Sequence, residues 1–374
     1  MAGMSPVSDL SGLTPFPKGD ILMRKGTALV VGATGITGGN LASYLVASGW
    51  TVFGLSRHAT EQSGVIPVTA DLLDDSATRE ALAGLPITHV FYCTWIRRDN
   101  EKANIEANSG MMCNLFSALE DADLQHASLV TGTKQYLGSF EAYGSGRTET
   151  PFRESEPRVS GDNFYYALED VLFETSKRQG FTWNVHRPHT VIGYARGNAM
   201  NMGTTLAVYA SICRATDKPF VFPGSRTQWN ALTDMTDALV LARQMEWAAT
   251  TPGAANQAFN TVNGDVFRWR RMWREIGEYF SLEVADCPET PQPLETQMNG
   301  ADTTWREIAK KHDLVEPDIS KLASWWHTDA DLGRDQECVN DSTKSREFGF
   351  DHFRETKAAF FDLFDRLHAE QIIP

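Results

Sequence analysis

The sequence predicts an α/β fold: a doubly wound parallel sheet with a smaller, mainly helical C-terminal lobe. Three observations carry this. Short apolar runs alternate with helix-like stretches over the first two-thirds of the chain. The first run, Thr27–Val31, leads straight into Gly32-Ala33-Thr34-Gly35-Ile36-Thr37-Gly38. A helix-like stretch then begins near Asn40. Strand, glycine turn and helix, in that order, suit a dinucleotide pyrophosphate. Glycines let the backbone turn tightly and approach the phosphates, and the helix N-terminus offers free N–H groups and a partial positive charge. The expected sheet is therefore of Rossmann type, with Gly32, Thr34, Gly35, Ile36 and Gly38 as candidate pyrophosphate contacts.

The second strand is expected over Trp50–Leu55, ending in Ser56-Arg57-His58. A carboxylate at that position would suit an adenosine ribose 2′-OH, whereas an arginine suits a 2′-phosphate. Ser56 and Arg57 therefore point to NADP(H), the alternative being a solvated Arg57. The third strand, Val65–Ala70, ends in Asp71-Leu72. Asp71 there is either an acceptor for the adenine amino group or the N-cap of a helix over 76–83. His89–Trp95 reads as the fourth strand, and a long helix spans about 100–120. Ala127–Lys134 reads as the fifth strand with its terminal turn. A helix over 163–179 and a sixth strand, Thr182–Pro188, follow. Ligands of open α/β sheets gather at the carboxyl ends of the strands. That adds Thr94, Thr131, Pro188 and Val191 to the candidate cofactor contacts.

Beyond residue 193 the strand–helix rhythm gives way to Met- and aromatic-rich segments, including Met200, Met202, Tyr209, Trp269, Trp273, Trp305, Trp325 and Trp326. The expected division is a loose arm over 1–20, a cofactor domain over 21–192 to which 225–265 returns, and a substrate lobe from 193–224 and 266–374. The chain has 374 residues, 42% of them hydrophobic, and a formal net charge of −14. Such a charge repels nucleic acid and anionic membranes, so neither is an expected partner. Five cysteines (Cys93, Cys113, Cys213, Cys287 and Cys338) are scattered without metal-ligand spacing. Neither a metal site nor a disulfide framework is expected, and a cytoplasmic location fits. There is no apolar run of about eighteen residues. A symmetric homodimer is the commonest assembly, although no stretch marks an interface.

Short-chain dehydrogenases usually carry Tyr-x-x-x-Lys on the helix after the fifth strand. None of the nine tyrosines here has a lysine four residues later; Tyr165 and Tyr166 are followed at that spacing by Glu169 and Asp170. A lysine stands instead at the end of the fifth strand, as Lys134. Glu169 and Asp170 read as solvated or capping charges, and His186 and His189 as satisfied structural histidines.

At these residues the chain resembles the progesterone 5β-reductase and iridoid synthase family, atypical extended short-chain dehydrogenases/reductases. The resemblance runs from about residue 25 to the C-terminus. It is most specific at Thr131-Gly132-Thr133-Lys134 and Asn163-Phe164-Tyr165-Tyr166, with further support at Phe259–Asp265 and Lys344–Phe350. It implies NADPH-dependent reduction of the C=C bond of enones and enals, with Lys134 and Tyr165 as the catalytic pair. Phe140 matches an aromatic that the family uses at the pocket mouth. After Trp325-Trp326 the family often has a second phenylalanine, where this chain has His327; that departure makes the entrance more polar or more open. Trp95, Tyr136, Met202 and Tyr209 are further candidate wall residues, each equally readable as packing.

The chemistry fits these roles without the resemblance. When hydride reaches the β-carbon of an enone, negative charge develops on the carbonyl oxygen, and a phenol donor stabilises it as an oxyanion hole does. A nearby ammonium makes that phenol a stronger donor. Two other functions compete: a ketone or aldehyde reductase, which the same pair would serve, and a regulator that senses NADP(H) without turning over, against which the pair argues because a sensor needs neither residue.

Overall fold

The computed structural model describes residues 25–58, 61–139 and 149–374. The expected arm over 1–20 and Phe140 lie outside the described residues. Strands β1 (Thr27–Val31), β2 (Thr51–Ser56), β3 (Val65–Thr69), β4 (His89–Tyr92), β5 (His126–Val130) and β6 (Thr182–Pro188) form one sheet. Two short strands, β7 (Val191–Ile192) and β8 (Thr236–Asp237), pair with each other. The chain then returns to the main sheet as β9 (Gln257–Thr261), beside β6. The sheet order is β3-β2-β1-β4-β5-β6-β9, parallel throughout. The order reverses between β1 and β4, and the crevice above that point is where a Rossmann sheet receives its ligand.

The two-residue period of a strand sorts β1 onto two layers. Leu29 and Val31 join one core with Tyr92, Met112, Leu115, Phe164 and Leu168, beneath the helices Glu101–Ala118 and Phe164–Gln179. Ala28 and Val30 join the other with Leu41, Leu45, Leu241 and Met245, beneath Ile36–Ala47 and Ala238–Thr250. A separate core joins the helices Met202–Thr216, Trp269–Tyr279, Ala301–Lys311 and Thr356–Ala369. Within it Phe220 stacks on Trp273 with ring centres 4.1 Å apart. The Met- and Trp-rich composition after residue 193 mostly fills this core, as large apolar side chains do.

Three local expectations shift. The strand β4 stops at Tyr92, leaving Thr94 and Trp95 in the loop beyond it. The strand β5 stops at Val130, and Lys134 opens a single helical turn, Lys134–Leu137, which ends at Gly138 with φ +82°. The helix Asp75–Leu82 is capped by Asp74, whose Oδ1 accepts from the Ala77 N–H at 3.0 Å. Asp71 is therefore not that cap. Among the described residues no helix is long and apolar enough to cross a membrane, and no group of His, Cys, Asp and Glu could hold a metal ion.

Candidate active site

The glycine turn follows β1 directly. Gly32 adopts φ +84°, a conformation that strains any L side chain. A Cβ on Gly38 would lie 2.3 Å from the Gly32 carbonyl oxygen, so glycine there lets the helix Ile36–Ala47 close onto the turn. A Cβ on Gly35 would meet its nearest atom, the Gly32 carbonyl oxygen, only at 3.4 Å. The turn is thus tight underneath and roomy above, as a pyrophosphate cradle must be.

Above it a cavity of about 1000 Å³ runs along the carboxyl edge of the sheet. Gly32, Thr34, Gly35, Ile36, Ser56, Arg57, Asp71, Leu72, Thr94, Thr131, Pro188 and Val191 all line it. Gly38 does not; it packs beneath the turn. Residues as far apart in sequence as Arg57, Asp71, Pro188 and Val191 therefore meet in one elongated space. The donor set fits a phosphorylated dinucleotide: a glycine turn at a helix N-terminus in the middle and a guanidinium at the end of β2.

Lys134 and Tyr165 reach the same cavity from separate segments. Lys134 is 5% exposed, and its amine lies in an aromatic box, 4.8 Å from the centre of the Phe164 ring, 5.2 Å from that of Trp95 and 5.5 Å from that of Tyr165. Burial pulls its pKa down to about 6, against the smaller opposing field of Glu101. The Tyr165 hydroxyl faces the loop after β5. A Cβ on Gly132 would lie 3.5 Å from the Tyr165 hydroxyl and 3.2 Å from the Pro188 carbonyl oxygen. The phenol, the strand-end loop and β6 thus meet closely at Gly132, where an added Cβ would be tight against the Pro188 carbonyl.

The tandem tyrosines separate as helix geometry requires, neighbours turning by about 100°. Tyr166 points away from the cavity, donating to the Gln135 carbonyl at 2.8 Å and accepting from the Val159 N–H at 3.0 Å. Glu169, read from sequence as solvated or capping, is instead buried between Arg187 and Arg158, each at 3.1 Å. Asp170 is exposed and pairs with Arg158 at 2.8 Å. His186 is buried and shares a 2.9 Å hydrogen bond with the Gln244 Oε1, away from the cavity. His189 lines the cavity, with its Nδ1 2.8 Å from the Asp234 carboxylate.

Of the candidate wall residues, Trp95 and His327 line the cavity. Three do not. Tyr136 is buried on the far side of its helical turn, donating to Asn260 Oδ1 at 2.6 Å and stacking on Phe152. Met202 starts the Met202–Thr216 helix and sits in the lobe core. Tyr209, in the same core, donates to Gln297 Oε1 at 2.6 Å and accepts from the Val221 N–H at 3.1 Å. Each had a polar partner or an apolar neighbour available inside the protein, and sequence spacing could not reveal it. Conversely, Arg97, Asn198, Asp331 and Arg334 line the cavity without having been singled out. The guanidinium of Arg97 lies 4.1 Å from the centre of the Trp326 ring, joining the loop after β4 to the helix Trp325–Leu332. Asp331 accepts from the Thr190 hydroxyl at 2.6 Å and pairs with Arg334 at 2.8 Å. Arg97 stands at the sheet edge already, the folded lobe brings the other three there, and no motif signals any of them.

The model of the PRISE-like Rossmann-fold domain matches residues 70–374. The chain is 38% identical over 364 residues to an (S)-8-oxocitronellyl enol synthase of Camptotheca acuminata, covering 93% of each chain. It is 37% identical over 361 residues to a 3-oxo-Δ(4,5)-steroid 5β-reductase of Arabidopsis thaliana, again covering 93% of each. The chain belongs to the PRISE family. It is accordingly an oxidoreductase. Among solved structures, UDP-glucose 4-epimerase of Thermotoga maritima superposes with a TM-score of 0.66 at 11% identity, covering 92% of this chain and 99% of the other. A putative epimerase of Burkholderia cenocepacia gives 0.63 at 16% identity, covering 92% and 99%. At such identities these neighbours share the fold of this PRISE chain and no more.

Proposed function

We propose that this chain is an NADPH-dependent reductase of activated C=C bonds, acting on enones or enals, with Tyr165 and Lys134 as its catalytic residues. One observation carries the reading: a phenol and an amine from different segments border the same elongated cavity as the glycine turn and Arg57. The names of the two plant relatives point the same way, one to an enol product and the other to reduction of an unsaturated 3-oxosteroid.

Gly32, Thr34, Gly35 and Ile36 would hold the pyrophosphate of NADPH, and Arg57 its 2′-phosphate, as a guanidinium holds phosphate oxygens. NADPH, when bound, supplies the hydride. The protein must then meet the charge that appears on the substrate's carbonyl oxygen. Tyr165 donates its hydroxyl proton in a hydrogen bond to that oxygen, stabilising the enolate. Lys134 strengthens this donor when protonated. Burial holds its pKa at about 6 in the ligand-free chain; negative charge from the dinucleotide phosphates or the enolate would raise it and favour the protonated amine. The α-carbon can be protonated by water, so no second acid is required. His327 sets the character of the substrate end. Its Nδ1 is buried without a hydrogen-bond partner among the described residues, which suits a smaller or hydrogen-bonding substrate better than a wholly apolar one.

Product analysis with cyclohexenone and NADPH tests the reading. The saturated ketone is expected. An allylic alcohol would make the chain a carbonyl reductase, and NADPH binding without turnover across a broad enone panel would make it a sensor.

A further inference from the structure

Asn163 precedes the helix Phe164–Gln179 and is 3% exposed. Its side chain makes two bonds to two different segments. Oδ1 accepts from the backbone N–H of Tyr165 at 3.0 Å, capping the helix. Nδ2 donates to the backbone carbonyl of Lys134 at 2.9 Å. That carbonyl also accepts from the Gly138 N–H at 3.0 Å, so the turn carrying Lys134 is held from both sides. A cap alone requires only an acceptor, which serine, threonine or aspartate supplies as well. A primary amide offers an acceptor and a donor on one short planar group. The second bond is therefore what asparagine adds at this position.

A neighbouring carboxylate works alongside it. Glu101, buried at the start of the helix Glu101–Ala118, accepts from the Phe164 N–H at 2.6 Å and from Asn104 Nδ2 at 3.1 Å. The first two N–H groups of the Tyr165 helix are thus taken by side chains of residues 101 and 163, and the second of these also holds the lysine segment. Residues 134 and 165 are separated by thirty-one positions, yet a single carboxamide spans their backbones.

We propose that Asn163 is a positioning residue for catalysis, its carboxamide fixing the backbone of Lys134 against that of Tyr165 so that amine and phenol keep their separation. This rests on the reading of Tyr165 and Lys134 as the catalytic pair. A structural cap would matter only for stability. A positioning bond matters for rate, because a displacement of about 1 Å at reacting groups can cost about a hundredfold.

Asn163→Ser separates the two roles. The serine hydroxyl keeps the cap but is too short to serve the lysine carbonyl as well, and Asn163→Thr is a second variant of the same kind. The measurements are the melting temperature, the Kd for NADPH by fluorescence, and the pH profiles of kcat and KM with cyclohexenone. The expected result is a loss of kcat of about ten- to a hundredfold, a small change in KM, a melting temperature close to wild type, and a shifted acidic limb of the kcat profile. Wild-type kcat and pH profile in a folded Asn163→Ser protein would overturn the inference. So would a rate loss that only follows the loss of folded protein, with the profile unmoved. The wider reading fails separately: if Tyr165→Phe and Lys134→Met both turn over like wild type, the pair itself is wrongly assigned. If those two lose rate and Asn163→Ser does not, only the positioning role falls.

Discussion

The two ends of the central sheet differ in what their buried polar groups border. At the amino end, His89 Nδ1 lies 2.9 Å from the Thr88 hydroxyl, and His126 meets Thr182 at 2.8 Å and Ser128 at 3.1 Å. Trp50 donates to Glu246 at 2.8 Å and packs edge-on to His89. These groups answer one another within the protein, and the region is closed. At the carboxyl end, Lys134 is buried among aromatic rings beside a large cavity, with its charge discouraged by its surroundings. The difference teaches where function sits. A buried amine whose charge is disfavoured, set beside a large cavity, is the signature expected of a functional site, and the closed amino edge shows nothing comparable.

Removing Lys134 should break the symmetry most visibly. Lys134→Met should lower kcat by about two orders of magnitude, in the range for loss of an assisting group, while raising the stability of the ligand-free protein. The sign follows from the depressed pKa. At neutral pH the unfolded chain holds a proton on this amine that the folded chain does not, so the amine disfavours folding. The gain in Lys134→Met is greatest below about pH 6, on the order of a few kcal/mol, and fades toward the ordinary lysine value. Denaturant titrations at several pH values check this. A variant that is both less active and less stable at pH 7 would show that Lys134 is a structural group.

Arg57 sharpens the comparison at the adenosine end of the same edge. Arg57→Ala should reduce the preference for NADPH over NADH, measured as a ratio of kcat/KM values, by about one to two orders of magnitude. The change should come chiefly through the KM for NADPH. An unchanged ratio would return Arg57 to the solvated alternative.

At the amino edge the expected effects are on stability alone. Burial lowers the pKa of His89 to about 4 and that of His126 to about 3. Both are neutral in the folded protein. Below about pH 6.5 the unfolded chain takes up protons that the folded chain refuses. Stability present above pH 6.5 is therefore withdrawn as pH falls toward about 4 for His89 and about 3 for His126. His126→Phe should flatten this acid dependence while costing about 1–3 kcal/mol at pH 7, because Thr182 and Ser128 lose a partner. The kcat for enone reduction should stay at the wild-type value. A similar cost in stability is expected for Tyr166→Phe on the carboxyl side, which loses hydrogen bonds to Gln135 and Val159 worth about 1 kcal/mol each; its pH profile of kcat should match wild type.

Much of this was legible in the sequence because it depends on local pattern. The boundaries of β1 and β6 coincide with the segments read from the sequence, and the glycine turn declares its own geometry through Gly32 and Gly38. The missing Tyr-x-x-x-Lys and the displaced Lys134 were readable because an absence at fixed spacing is visible in one chain. What depended on packing was not. Tyr136, Met202 and Tyr209 looked like wall residues by composition, but their hydroxyls and apolar surfaces found partners in the interior. Glu169 looked solvated, yet Arg187, eighteen positions later on β6, brings it inside. The strand β9 was not anticipated as a strand; it is defined by its pairing with β6 in the folded sheet. Asp331 reaches the cavity only because the helix Trp325–Leu332 folds back over the sheet edge, and Arg97, in the loop after β4, carries no motif that would mark it.

The central claim is that the Tyr165 hydroxyl stabilises the oxygen of the substrate while NADPH reduces its double bond. Single-turnover reduction of cyclohexenone tests it most directly, with 4-deuterated NADPH and with wild type and Tyr165→Phe each saturated in cofactor. The account predicts deuterium on the β-carbon of the product and a rate two to three orders of magnitude lower, roughly, in Tyr165→Phe, with the Kd for NADPH unchanged. Deuterium on the carbonyl carbon, or equal rates in the two proteins, would contradict it.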